Sequence, residues 1–131
     1  MIKIENINQV LVVDDSGTAR MIIKQCLEII GFHGKTFLEA GNGSAALGIL
    51  EKNSVDIVFA DLNMPLMSGY ALLQAIKSDE RYKKIPVIVI TSSSNEDGEK
   101  NLLEQGAAAV VKKPLVPMVL SRAWNVISGA S

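Results

Sequence analysis

Short apolar runs alternate with segments of helical periodicity along the chain. The runs are rich in β-branched and aliphatic residues, as expected for strands that are covered on both faces. They lie at Gln9–Val13, Lys35–Ala40, Asp56–Ala60, Pro86–Ile90 and Ala108–Val111. The second run is the weakest, and each run is followed by a helical pattern.

Five helices are predicted after these runs. The first carries an apolar stripe at i, i+3, i+4, i+7, i+8 and i+11 from Ala19 to Ile30, and Gly31 follows where a C-terminal glycine is expected. The fourth begins at Asn95, a favourable N-cap residue, and closes at Gly106. The others are predicted at Asn42–Glu51, at Ser68–Lys77 and from Val116 to Ile127.

Alternating strands and helices predict a parallel sheet with helices on both faces, a three-layer α/β/α sandwich with five strands. The 131 residues, 48% of them hydrophobic, suit one domain with an ordinary core. We therefore expect a single domain at residues 1–131.

Charge and cysteine content narrow the class of protein. Thirteen Lys and Arg against fourteen Asp and Glu give a net charge of −1, which argues against nucleic acid or an anionic membrane as a partner. The single cysteine, Cys26, allows no intramolecular disulfide. The longest apolar run near the N-terminus, Val10–Val13, is far shorter than the ~20 residues that span a bilayer. We expect a soluble, cytoplasmic protein.

Polar side chains with complementary chemistry follow four of the five strands. Asp14 and Asp15 follow the first strand, Asp61 follows the third, Thr91 ends the fourth and Lys113 follows the fifth. The carboxyl ends of parallel strands meet at one edge of the sheet, where such folds bind ligands. The second strand contributes no comparable group, which fits an edge position. The five side chains are therefore expected to converge.

Three carboxylates that lie close together repel one another unless a cation neutralises them. Oxygen ligands select Mg²⁺, or Mn²⁺ in its place. Lys113 and Thr91 supply a cation and a hydroxyl donor for phosphoryl oxygens, and an aspartate nucleophile that forms an acyl phosphate is known chemistry. The residues therefore predict phosphoryl transfer onto a carboxylate.

The chain resembles the receiver domains of response regulators over nearly its whole length, and in particular their single-domain, chemotaxis-type members. The matching motifs are Val12–Ser16, Asp61–Pro65 with Ser68-Gly69, Pro86–Thr91, and Gly106-Ala107 leading to Lys113-Pro114. The resemblance implies a flavodoxin-like (βα)5 fold with strand order 2-1-3-4-5.

The resemblance also implies a role for each matching residue. Asp61 is the phospho-acceptor. Mg²⁺ is held by Asp14, Asp15, Asp61 and the backbone carbonyl of Asn63, with Asp15 a more direct ligand than Asp14.

Two further residues complete the implied site. Thr91 is the switch hydroxyl that moves toward the phosphoryl group. Lys113 binds the phosphate in preference to its neighbour Lys112, because the family's lysine directly precedes a proline. The Lys113–Pro114 bond is expected to be cis, an isomer that a following proline makes tolerable.

The family's partners and output follow from the same resemblance. The phosphoryl donor is the phosphohistidine of a sensor histidine kinase, and the domain is a signalling acceptor that promotes its own phosphorylation and dephosphorylation, not an enzyme. Output is expected through the face formed by the fourth helix, fifth strand and fifth helix, in a stand-alone protein that is a monomer or a weak phosphorylation-dependent dimer. We expect no nucleic acid and no membrane partner.

One position departs from the family's usual pattern, and two others influence how long the phosphoryl group lasts. Many receivers carry an aromatic residue three positions before the lysine, where this chain has Val110. We therefore expect neither the inward swing of a ring nor a comparable surface pocket there. Asn63 and Ser93, two residues beyond Asp61 and Thr91, are polar and modest in size, which predicts open access for water and a phosphoryl lifetime of seconds to minutes.

Two alternative functions share part of this chemistry. A Mg²⁺-dependent phosphatase of the haloacid dehalogenase type would carry an Asp-x-Asp motif after the first strand, where this chain has Asp14-Asp15-Ser16. A flavodoxin-like FMN-binding module would use Ser16-Gly17-Thr18 as a phosphate loop, but two carboxylates directly before it would repel the phosphate.

Overall fold

The computed structural model describes residues 2–92 and 95–129, so Ser93 lies outside the described residues. Its strands are β1 (Gln9–Val13), β2 (Thr36–Ala40), β3 (Ile57–Asp61), β4 (Val87–Thr91) and β5 (Ala109–Lys112). Its α-helices are α1 (Gly17–Leu27), α2 (Gly43–Lys52), α3 (Gly69–Lys77), α4 (Glu96–Glu104) and α5 (Pro117–Ser128). The predicted alternation of strands and helices is confirmed.

The five strands form one parallel sheet in the order β2-β1-β3-β4-β5. This is the order that the resemblance implied, and β2 is at an edge as expected. The chain reverses its direction across the sheet between β1 and β3, so these two neighbouring strands mark the switch point at which such folds bind ligands.

Helices cover both faces of the sheet, which confirms the three-layer architecture. On one face α2, α3 and α4 bury residues such as Leu50, Leu72 and Leu102 against alternate strand residues. On the other face α1 and α5 pack through Leu27 and Trp124. The Trp124 ring lies in the core, with its centroid 5.0 Å from that of Phe32 in an edge-on contact. The described helices contain no segment of the length and apolarity that crossing a bilayer requires.

The end of the first helix differs from the prediction. Regular α-helix stops at Leu27, and the chain continues through a wider π-helical turn, Glu28–Phe32, which contains the predicted break at Gly31. Gly31 adopts a φ of 125°, which only glycine tolerates readily, so its predicted role at the helix end is confirmed. Phe32, the last residue of this turn, lies in the core with its side chain fully buried.

Polar residues cap four of the helices. Ser16, Asn42, Ser68 and Asn95 each accept a hydrogen bond from the backbone N–H three residues on, a contact typically worth about 1 kcal/mol. Asn95 was predicted to act in this way. Asn42 and Ser68 were predicted as first helical residues and instead stand one position outside the helix.

Gly69 allows α3 to begin directly against the end of β3. A side-chain Cβ at this position would overlap the backbone carbonyl of Asp61 and would stand 2.8 Å from the Leu62 Cα. The Gly69 N–H donates to the Leu62 carbonyl oxygen at 2.9 Å. The chain leaving Asp61 is therefore held by a close backbone contact that only glycine permits.

Substitution of Gly69 by alanine is expected to lower the free energy of unfolding by about 2 kcal/mol or more, because the new methyl group must displace backbone and not a flexible side chain. Gly48→Ala is the matched control, since nothing lies within 4 Å of a Cβ there and alanine favours the helix. Urea unfolding measures both. Equal effects of the two substitutions would contradict the argument.

Candidate functional site

The residues singled out from the sequence meet at the carboxyl edge of the sheet. Asp61 is the last residue of β3 and Thr91 the last of β4, while Asp14 directly follows β1 and Lys113 directly follows β5. The Asp14 N–H donates to the Ala40 carbonyl oxygen at 3.1 Å, so the β-ladder extends to the acidic pair. The sheet therefore places side chains from four strand ends beside one another.

The three carboxylates form one cluster. Asp14, Asp15 and Asp61 each offer an oxygen within 4.8 Å of the others. Asp14 and Asp61 are almost fully buried, with 1% and 5% of their surface exposed, whereas Asp15 is exposed to solvent. A set of carboxylate oxygens with one side open to water suits Mg²⁺, which keeps several waters and takes few protein ligands. The residues present therefore fit the expected ion.

Lys113 is the cation that faces this cluster. Its Nζ lies 3.2 Å from Asp14 Oδ2 and 3.3 Å from Asp61 Oδ1. Burial of the ammonium lowers its pKa, but the hydrogen bonds and charges of Asp14 and Asp61 outweigh this, so the Lys113 pKa is raised above its usual value. Lys113 therefore stays protonated and bridges the two buried carboxylates.

The Asp61 carboxylate remains electrostatically disfavoured despite this bridge. Burial raises the pKa of Asp61, and the charge of Asp14 raises it further. Lys113 and a hydrogen bond from the Asn63 backbone act in the opposite direction without cancelling these effects. A cation at this cluster would relieve the repulsion.

Thr91 occupies the end of the next strand and is fully buried. Its carbonyl oxygen accepts a hydrogen bond from the Lys113 N–H at 2.8 Å, which links the ends of β4 and β5. The Lys113–Pro114 peptide is cis, as the resemblance implied. Thr91 and Lys113 are thus joined through backbone as well as by their position on the same edge.

A groove lies behind these residues, between β5 and α5. It has a volume of about 690 Å³, and its apolar lining includes Val110, Val119, Ala123 and Val126. An ion pair of Lys112 with Glu99, 3.4 Å apart, borders it. The sequence did not predict this groove, which small side chains on both β5 and α5 leave open.

Two features near the site were not predicted. Arg20 donates a hydrogen bond to the Asp14 carbonyl oxygen, within the acidic pair. Leu66 in the loop after Asp61 has a φ of 68° and 89% of its surface exposed, and Met67 N–H donates to the Pro65 carbonyl oxygen at 2.8 Å across it. This is the hydrogen bond of a tight γ-turn. The motif Pro65-Leu66 gave no signal for it, since leucine rarely adopts this conformation.

Asp61→Asn is expected to raise the melting temperature of the metal-free protein at pH 7 by a few degrees. The raised pKa of Asp61 means that its ionised form destabilises the fold above that pKa, and a neutral amide removes this cost. The gain should shrink as the pH falls through the raised pKa, since the wild-type carboxyl then becomes neutral as well.

Thermal unfolding in the presence of a chelator measures this difference. Asp56→Asn is the control, because Asp56 Oδ2 accepts hydrogen bonds from the N–H groups of Asn8 and Gln9 at 2.8 and 2.9 Å. Loss of the carboxylate there should lower the melting temperature. A lower melting temperature for Asp61→Asn at pH 7 would contradict the prediction.

Comparison with known proteins agrees with this geometry. The response regulator receiver domain family matches residues 10–125. The chemotaxis protein CheY of Pseudomonas aeruginosa is 38% identical over 112 residues, which cover 86% of this chain and 89% of that protein. The chemotaxis protein CheY1 of Helicobacter pylori is 36% identical over 124 residues, which cover 94% and 98%.

Solved structures show the same fold. The chemotaxis response regulator CheY4 of Vibrio cholerae superposes with a TM-score of 0.80 at 26% identity, over 92% of this chain and 98% of that one. The receiver domain of a signal transduction histidine kinase from Syntrophus aciditrophicus gives a TM-score of 0.77 at 32% identity, over 95% and 92%. These similarities favour neither the phosphatase nor the FMN-binding alternative. The chain belongs to the response regulator receiver domain family and is a CheY-like receiver of a two-component system.

Proposed function

We propose that Asp61 is the residue of this receiver that accepts the phosphoryl group. The observation that carries the proposal is the position of its carboxylate at the buried end of β3, in one cluster with two other carboxylates and 3.3 Å from the Lys113 ammonium. Asp14 also contacts Lys113 through Oδ2, but its second oxygen, Oδ1, accepts a hydrogen bond from the Ser16 N–H at the start of α1. Asp61 lies on the neighbouring strand, at the switch point of the sheet.

In the proposed transfer an Asp61 carboxylate oxygen forms a bond to phosphorus while the phosphorus–nitrogen bond of a phosphohistidine breaks. The electron pair of that bond stays on the imidazole nitrogen, and the product is an acyl phosphate. Lys113, which faces Asp61 Oδ1, exchanges part of its carboxylate contact for a phosphoryl oxygen. The hydroxyl of Thr91 moves toward the phosphoryl group and donates a hydrogen bond to another of its oxygens. This movement of Thr91 is the proposed switch.

Asp14, Asp15, Asp61 and the backbone carbonyl of Asn63 would hold Mg²⁺, or Mn²⁺ in its place. The ion, when bound, offsets the charge of the carboxylates and of the transferred group. The support for this assignment is the all-oxygen donor set and the repulsion between Asp14 and Asp61 that a single Lys113 leaves uncompensated.

A sensor histidine kinase is the proposed phosphoryl donor, and a target protein on the face formed by α4, β5 and α5 is the proposed receiver of the signal. The groove along Val110 and Ala123 lies on that face and is directly continuous with Lys113. The named chemotaxis relatives support a chemotaxis-type role in the cytoplasm, carried by a receiver that spans residues 1–131. We propose a monomer, or a weak dimer that forms on phosphorylation.

The phosphoryl group is proposed to last seconds to minutes. Asn63, two residues beyond Asp61, is exposed and polar, and so leaves the acceptor open to water from that side. Ser93, the second residue on which this expectation rests, lies outside the described residues.

Incubation with Mg²⁺ and acetyl phosphate is expected to add one phosphoryl group to the protein, and Asp61→Asn is expected to abolish this because no other side chain occupies the acceptor position. Intact-mass spectrometry measures the adduct. Asp79→Asn is the control: its carboxylate pairs with Arg81 in the loop before β4, at the opposite edge of the sheet. Full labelling of Asp61→Asn would refute the assignment.

Thr91→Ala is expected to uncouple the output face from the site. In the wild type, Mg²⁺ with beryllofluoride, which mimics the phosphoryl group, should shift amide resonances both around Asp61 and along Val110 and Val119. In Thr91→Ala the shifts around Asp61 should remain, while those in the groove should fall by at least half.

Thr91→Ser keeps the hydroxyl and is the matched control for this experiment. It should give the wild-type pattern in ¹⁵N–¹H spectra. Groove shifts of full size in Thr91→Ala would show that the signal travels through backbone alone, by way of the hydrogen bond from Lys113 N–H to the Thr91 carbonyl.

A further inference from the structure

The Arg20 guanidinium ties together three segments at the edge of the sheet that carries the acidic cluster. Its Nη1 donates to the Asp14 carbonyl oxygen at 2.6 Å, and its Nε donates to Glu39 Oε1 at 2.9 Å. The head group also lies over two glycines: a Cβ on Gly17 would stand 3.5 Å from Nη2, and one on Gly41 3.9 Å from Nη1. Arg20 therefore spans the end of β1, the start of α1 and the loop after β2.

The peptide that Arg20 holds is the one that joins Asp14 to Asp15. Because a peptide unit is planar, a bond to the Asp14 carbonyl oxygen also restrains the Asp15 amide nitrogen and the Asp15 Cα, from which the side chain leaves the backbone. On the other side of Asp15, the Ser16 N–H donates to Asp14 Oδ1 at 3.0 Å, and Ser16 caps α1. The exposed Asp15 is thus placed by backbone that is fastened at both neighbours.

We infer that Arg20 is a positioning residue for the metal site, which holds the Asp14–Asp15 peptide so that the Asp15 carboxylate stays with those of Asp14 and Asp61. This inference rests on the proposed role of these carboxylates as ligands of Mg²⁺. Without the bond from Arg20, the peptide can rotate and carry the Asp15 oxygens out of the cluster, in which all three carboxylates lie within 4.8 Å of one another.

The direction in which Mg²⁺ affinity changes when Arg20 is replaced distinguishes a positioning role from that of an ordinary surface ion pair. A positive charge close to a cation site opposes the binding of a second cation. If Arg20 acted only through its charge, its removal would strengthen Mg²⁺ binding. If it only stabilised the fold through Glu39, its removal would lower the melting temperature and leave Mg²⁺ binding unchanged. A positioning role predicts weaker Mg²⁺ binding.

Calorimetric titration of the metal-free protein with Mg²⁺ tests the inference in Arg20→Met, Arg20→Lys and the control Lys83→Met. Arg20→Met should weaken binding roughly tenfold, as does the loss of groups that orient metal ligands. The Mg²⁺ affinity of Arg20→Lys should lie between those of the wild type and Arg20→Met. A single ammonium cannot reproduce the planar guanidinium, which contacts both Glu39 and the Asp14 carbonyl oxygen. Lys83→Met removes a cation from an exposed ion pair with Glu80 and should bind as the wild type does.

Phosphorylation by acetyl phosphate gives an independent readout. Arg20→Met should need more Mg²⁺ for half-maximal rate and should approach the wild-type rate at saturating Mg²⁺, since Asp61, Thr91 and Lys113 are untouched. Mg²⁺ affinity that is unchanged or increased in Arg20→Met overturns the inference. If that variant does not fold, Arg20→Lys decides: wild-type affinity overturns the inference. A wild type that binds no Mg²⁺ instead refutes the proposed function.

Discussion

Repulsion between two buried carboxylates is the constraint around which this site is organised. Asp14 and Asp61 stand at neighbouring strand ends, almost without contact with water, and share one ammonium from Lys113. One positive charge does not balance two negative charges: burial raises the pKa of Asp61, the charge of Asp14 raises it further, and Lys113 only partly offsets both. A further cation would relieve this repulsion, and the ionised Asp61 carboxylate is less stable in the fold than a neutral side chain would be.

The rest of the fold holds these groups where they would not stay by themselves. The β-ladder continues to the Asp14 N–H, Gly69 lets α3 press against the end of β3, and Ser16 caps α1 beside the acidic pair. Arg20 adds a fourth restraint by its bond to the Asp14 carbonyl. Most of these contacts are made to the backbone. The side chains of the proposed site therefore stay free to rearrange around a phosphoryl group.

The groove beside Val110 is lined by residues of α4, β5 and α5. Small side chains on β5 and α5 leave it open, and it reaches from Lys113 along α5 to Val126. Because Val110 has no ring to withdraw, we propose that a change at Thr91 reaches the groove through the β4–β5 ladder. The hydrogen bond from the Lys113 N–H to the Thr91 carbonyl oxygen lies on that route.

The sequence by itself determined the elements and the chemistry. Runs such as Gln9–Val13 and the cap at Asn95 depend on residues within a few positions, so local patterns predicted them. The chemical groups of Asp14, Asp61 and Lys113 follow directly from their residue types. Only the tertiary structure placed Lys113 against Asp14, 99 residues away, brought Trp124 onto Phe32 and turned Arg20 onto the Asp14 carbonyl. Strand order and packing join distant residues, and no local pattern records which distant pair satisfies a given side chain.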